Sequence, residues 1–274
     1  HSATQKAEEE ETAGEAMYAL ARRLFPICRS ITGAGLRRTL GIVQEQLPLE
    51  IREVPTGTRV FDWTVPKEWT IRDAYIKDED GQRLVDFQES NLHVVNYSAP
   101  VDAPMSLEEL RPHLHTRPDR PNWIPYRTAY YDDEAWGFCL RHRTLETLEE
   151  GTYEVCIDAS LEDGALSYGE CVLPGETDEE ILLSCHACHP SMANDNLSGI
   201  ALATHLAEHL ADRSTRYTYR VVFVPATIGA LTWLDHHEEH LSRIKHGLVI
   251  ACVGDPGPSA AATGPSSPSG WLGT

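Results

Sequence analysis

The stretch ILLSCHACHPSMANDNLSGIALATHL, Ile181 to Leu206, sets two histidines, two cysteines and an aspartate between an apolar run and a helix-like segment. The run EEILLSCH reads as a buried strand. SGIALATHLAEHLAD carries apolar residues at helical spacing. A strand, a polar loop and a helix in that order form the unit of an α/β sheet. Ligands of such sheets gather beyond the carboxyl ends of the strands. The loop is therefore a metal site, a redox motif or a structural turn.

The same rhythm extends both ways. YTYRVVFVPA reads as a strand, IGALTWLDHHEEHLSRI as a helix and KHGLVIACVG as a strand; TYEVCID and ALSYGECVLPG read as strands before the loop. GEAMYALARRLFPIC and GAGLRRTLGIVQEQL read as two helices, and LEIREVP alternates as a strand does. The fold class expected is α/β, a mixed sheet flanked by helices. Between residues 62 and 150 tryptophan, proline and histidine become frequent and turn signals such as DEDGQ separate short strands. We expect an inserted β-rich module at 62–150, with 14–61 and 151–258 forming the α/β domain. Residues 1–13, with EEEE, read as a solvated terminus, and 259–274 as a low-complexity tail.

Bulk properties narrow the function classes. The chain has 274 residues, is 41% hydrophobic and carries a formal net charge of −19. No basic face or long apolar span is present, which argues against a nucleic-acid or membrane partner. Seven cysteines without disulfide-like spacing point to a reducing compartment, the cytoplasm.

His186 closes the predicted strand, Asp195 precedes the helix, and Asp255 follows the last apolar strand. Imidazole and carboxylates from three strand ends can converge on a divalent ion. Each has a plainer alternative: a hydrogen-bonded histidine, a helix cap at Asp195, a turn at Asp255. Cys185 and Cys188 form C-x-x-C, but a proline and a polar loop separate them from the helix start that redox pairs occupy. A zinc knot of Cys185, His186, Cys188 and His189 would crowd four ligands into too short a segment. Buried thiols are the expected state.

H-A-C-H-P-S-M-A-N-D-N-L-S-G resembles the segment of the zinc aminopeptidase superfamily in which a histidine precedes A-N-D-N-x-S-G. More of the chain is similar to bacterial aminopeptidase-like domain proteins found near polysaccharide or natural-product biosynthesis genes. LARRLFPICRSITG, FDWTVPKEWTIRDAYI, ESNLHVVNY, DRPNWIPYRTAYY, WGFCL and SYGECVLPG carry this likeness. The resemblance implies a zinc-exopeptidase-like sheet and one or two zinc ions held by His186, Asp195 and Asp255. It implies a small peptide or an aminoacyl conjugate as substrate. The superfamily's paired glutamates, a general base and a metal ligand, fall here on Ala226 and Thr227. His189 is the candidate replacement proton carrier, or a hydrogen-bonding support for the site. Two functions follow: a metal-dependent hydrolase, or a non-catalytic binding protein that keeps the fold. A third reading, a carbohydrate-binding role for the Trp-rich module at 62–150, rests on aromatic residues alone, and such residues are more often core. The superfamily sheet continues past GLVIACVGD, so the expectation is a chain truncated at its C-terminus, with an exposed sheet edge and self-association through it.

Overall fold

The computed structural model describes residues 2–255, with side chains from residue 13 onward. The expected tail at 259–274 lies outside them. In chain order come α1 (Ser2–Leu24), α2 (Ala34–Gln44), β1 (Glu50–Pro55) and the small ladder β2 (Arg59–Val60) with β3 (Trp63–Thr64). Then follow β4 (Glu68–Lys77), β5 (Arg83–Asp86), β6 (Val101–Ser106), α3 (Leu107–Leu110), β7 (Leu114–His115), β8 (Phe138–Cys139), α4 (His142–Glu146) and β9 (Thr152–Glu162). The chain continues through β10 (Ala165–Leu173), β11 (Thr177–His186), α5 (Gly199–Ala211), β12 (Tyr217–Val224), α6 (Ala226–His236) and β13 (Ile244–Val249).

These elements form two compact units, residues 2–68 with 163–255, and residues 69–162. The first holds a five-stranded sheet of order β1-β10-β12-β11-β13. β1 and β10 run antiparallel to their neighbours, whereas β12, β11 and β13 are parallel. It is the mixed sheet expected. One face meets α1, α2 and α5 in a core that includes Leu24, Leu36, Leu40, Ile200, Val221 and Phe223. Apolar side chains at helical spacing on α5 and alternating ones on β12 make that face dry.

The opposite face carries a buried polar cluster. Arg220 donates through Nε and Nη2 to Glu180 (2.6 and 2.9 Å) and through Nη1 to Glu170 (2.8 Å). Trp233 of α6 donates its indole N–H to Glu170 (2.8 Å). The hydrogen bonds from Trp233 and Arg220 outweigh burial and hold the Glu170 carboxyl below the usual range.

The second unit is built on a sheet of order β5-β4-β9-β6. Its boundaries differ from the expected 62–150. β9, assigned from sequence to the α/β domain, pairs antiparallel with β6, Val101 opposite Ile157. β9 alternates exposed and buried residues through most of its length, as a strand with one dry face must; that pattern names a strand but not its sheet. α1 also differs, because it begins inside the polar segment read as a frayed terminus. Alanine, glutamate, lysine and glutamine there are strong helix formers. β13 ends at Val249, before the expected run GLVIACVG is complete. It forms the sheet edge, with Leu248 57% and Val249 71% exposed.

Candidate metal centre

β11, β12 and β13 end at one side of the first unit's sheet. His186, the last residue of β11, pairs in register with Val224 of β12, and Ser184 pairs with Val249 of β13. The loops after these strands therefore share one edge, the place where open α/β sheets bind ligands.

Within the loop after β11, Asp195 Oδ1 lies 2.6 Å from His186 Nε2 and 3.2 Å from His189 Nδ1. All three side chains are half-buried, and their ligand atoms lie within 4.8 Å of one another. Two imidazoles and a carboxylate at such separations suit zinc, whose catalytic sites use three protein ligands and keep a position open. Burial raises the Asp195 carboxyl, but the hydrogen bonds to His186 and His189 prevail and hold it well below its ordinary range. Burial lowers His189, but its bonds to Asp195 and Cys188 carry it up to about 10. Asp195 is no helix cap: its carboxylate faces the two rings.

The rest of the motif fixes this carboxylate. Residues 193–198 form an irregular helical turn, with a cis peptide between Asp195 and Asn196. Asn196, 2% exposed, donates through Nδ2 to the carbonyls of His186 (3.0 Å) and Ile250 (3.1 Å), and its Oδ1 accepts from Cys252 N–H (3.1 Å). Asn194 Oδ1 accepts from Gly254 N–H (2.8 Å), and Ser198 Oγ accepts from Val253 N–H (3.1 Å). The loop after β13 thus hangs on the side chains that flank Asp195. A Cβ on Gly199 would stand 2.3 Å from Asn196 Oδ1, so the glycine makes room for this anchor.

Other supports come from the connection between α1 and α2. Arg29, 1% exposed, donates from Nε to the His189 carbonyl (2.8 Å) and from Nη1 to the Leu24 carbonyl (2.7 Å). Ser191 Oγ donates to the Phe25 carbonyl (2.6 Å). Sequence reading passed over Asn196 and Arg29. The signal for Asn196 lay in the motif itself, a polar residue bound for burial beside the strand end. For Arg29 no signal in one sequence exists, because its partner is a backbone carbonyl far along the chain.

Of the residues singled out from sequence, His186, His189 and Asp195 come together. Asp255 stands outside this set, exposed and beyond the end of β13. The segment before it leaves the sheet because Asn194, Asn196 and Ser198 capture its N–H groups in place of a neighbouring strand. Cys185 and Cys188 are unpaired and buried, and burial pushes the Cys185 thiol up, the state of an inert core thiol. Ala226, at the position of the superfamily's first glutamate, lies just past the strand neighbour of His186, with φ +44°. An alanine in that left-handed region is strained.

The mixed sheet flanked by helices has the fold of the zinc aminopeptidases. The solved structures agree. A zinc aminopeptidase of Bacillus subtilis superposes with a TM-score of 0.58 at 11% identity, covering 88% of this chain and 68% of that one. A peptidase M28 precursor of Shewanella amazonensis gives 0.54 at 13% identity, covering 89% and 73%. The chain belongs to the family described as a domain of unknown function, DUF4910, whose model matches residues 18–263. It is 55% identical over 247 residues to a Clostridium acetobutylicum protein named "Putative polysaccharide biosynthesis protein with aminopeptidase-like domain", covering 90% of this chain and 56% of the relative. A crystal structure of a "putative peptidase" from C. acetobutylicum superposes with a TM-score of 0.88 at 55% identity, covering 90% and 58%. The chain thus spans just over half the length of these relatives. Among the described residues no helix is long and apolar enough to cross a membrane.

Proposed function

We propose that this protein is a metal-dependent hydrolase of aminopeptidase type, acting on an amide or aminoacyl conjugate, with one zinc ion held by His186, His189 and Asp195. The convergence of these three ligand atoms within 4.8 Å carries the reading. Zinc held there supplies Lewis acidity and eases the deprotonation of water. Asn196 and Arg29 hold the loop, so the donor set is built before any ligand arrives. In this reading His189 is a ligand and not a proton carrier, which leaves the proton to the leaving amine without a dedicated side chain. A positioned acid/base contributes about 10²–10⁴-fold, so turnover is slow.

The test is zinc stoichiometry together with hydrolysis of aminoacyl anilides by the purified chain and by Ala226→Glu. We expect about one zinc per chain, lost in His186→Ala and in Asp195→Asn. Ala226 already occupies the left-handed backbone, so a glutamate there adds a carboxylate with little new strain. Turnover should rise about 10²–10⁴-fold in Ala226→Glu. Zinc binding with no turnover in either protein would favour the second reading, a binding protein that keeps the fold and the ion. Ala226 is the observation behind that alternative.

A further inference from the structure

We propose that the second compact unit holds a binding site for a pyranose bearing a carboxylate, in a cavity of about 380 Å³ lined by His115, Arg127, Thr128, Tyr130, Asp132 and Trp136. This volume falls in the range of small-molecule pockets. Its aromatic walls are held in place. The Trp136 ring stacks on His113 with centroids 3.6 Å apart and planes 8° from parallel. Tyr130 meets the Tyr97 ring edge-on at 5.7 Å, and its hydroxyl bonds that of Tyr126 at 2.8 Å. Rigid aromatic faces take the C–H face of a sugar ring at little entropic cost.

The cation of the cavity is Arg127. Its Nη1 donates to His115 Nδ1 at 3.0 Å. Burial and the neighbouring guanidinium lower the His115 pKa, so the imidazole accepts that bond as a neutral group. Among the described residues no carboxylate pairs with Arg127. Asp132 brings a carboxylate to the same lining, but its Oδ1 is turned to the N–H groups of Glu134 and Ala135, both at 3.1 Å, and does not occupy the guanidinium fork. A guanidinium without an acidic partner presents a fork for a carboxylate. The Thr128 hydroxyl adds a polar group that sugar hydroxyls can satisfy. A bare anion would leave the aromatic walls unused, and a neutral sugar would leave the cation unused.

The experiment titrates the full chain with methyl β-D-glucuronide, methyl β-D-glucoside, benzoate and inorganic phosphate, read by saturation-transfer NMR and tryptophan fluorescence. The glucuronide should bind about tenfold or more tighter than the glucoside, as loss of a charge-assisted hydrogen bond implies. Arg127→Gln should bring the two sugars level. Trp136→Ala should abolish both, and Trp136→Phe, which keeps a ring, should restore binding in part and guards against a folding defect. His186→Ala should leave these affinities unchanged, which separates this cavity from the metal centre. No binding of the glucuronide, indifference to Arg127→Gln, or equally tight binding of phosphate or benzoate would overturn the proposal.

Discussion

Asp195 and its two neighbouring asparagines illustrate what single residues decide. Asp195 carries the charge, whereas Asn196 carries the geometry by joining the loops after β11 and β13. Asn196→Ala would strand the buried Ile250 carbonyl, an unsatisfied group costing about 1–3 kcal/mol, and would release the exposed Cys252 N–H to water. We expect a loss of about 1–3 kcal/mol in urea unfolding and weaker metal binding at the proposed site; an unchanged midpoint would mean that water replaces the amide. Ala226 poses the opposite case. A left-handed alanine costs about 1–2 kcal/mol, and glycine takes that conformation freely. Ala226→Gly should therefore stabilise by about 1 kcal/mol in the same assay. The histidines and the aspartate were legible in sequence as types at a strand end. That His189 joins the set was not, because which of two histidines faces a carboxylate depends on a turn that no spacing rule predicts.

At the scale of elements, the strands β10, β11 and β12 are joined by more than their ladders. Arg220 sits between two buried glutamates, and removing it would leave Glu180 without its guanidinium and Glu170 with only the more distant Arg52, at 3.9 Å, and His237, at 3.4 Å. Arg220→Leu should cost about 3–5 kcal/mol. The pH response follows from Glu170, whose folded pKa is depressed. Its contribution is present above its unfolded pKa, about 4.3 for glutamate, and is lost as pH falls through the folded value. Without Arg220, burial dominates, the folded pKa rises, and acid unfolding should begin at higher pH than in the parent chain. Circular dichroism against pH reads this; coincident acid transitions would show that the cluster is not coupled to folding. The strands themselves were legible from their apolar runs. Their polar residues were not assignable, since Arg220, Glu170 and Glu180 read as surface charges until the sheet brings them together.

At the scale of the whole molecule, β13 is the edge strand of the first unit's sheet among the described residues, with Leu248 and Val249 exposed. An exposed strand edge with apolar residues is a template for pairing with a second copy. Parent protein should self-associate at high concentration, and Leu248→Lys with Val249→Lys should shift it toward monomer in analytical ultracentrifugation. A monomeric parent would show that the short strand and the net charge of −19 suffice to keep copies apart.

The sequence by itself determined the fold class, the strand–loop–helix unit around His186 and the residue types at its edge, because periodicity and loop composition are local properties. It also marked the strand TYEVCID at 152–158, the first part of β9. Only the tertiary structure decided that this strand joins the second sheet and that His189 turns toward Asp195. It alone decided that Arg220 is buried between Glu170 and Glu180. Each of these depends on partners distant in the chain, and the cost of burying a polar group without one is settled only when the partner arrives.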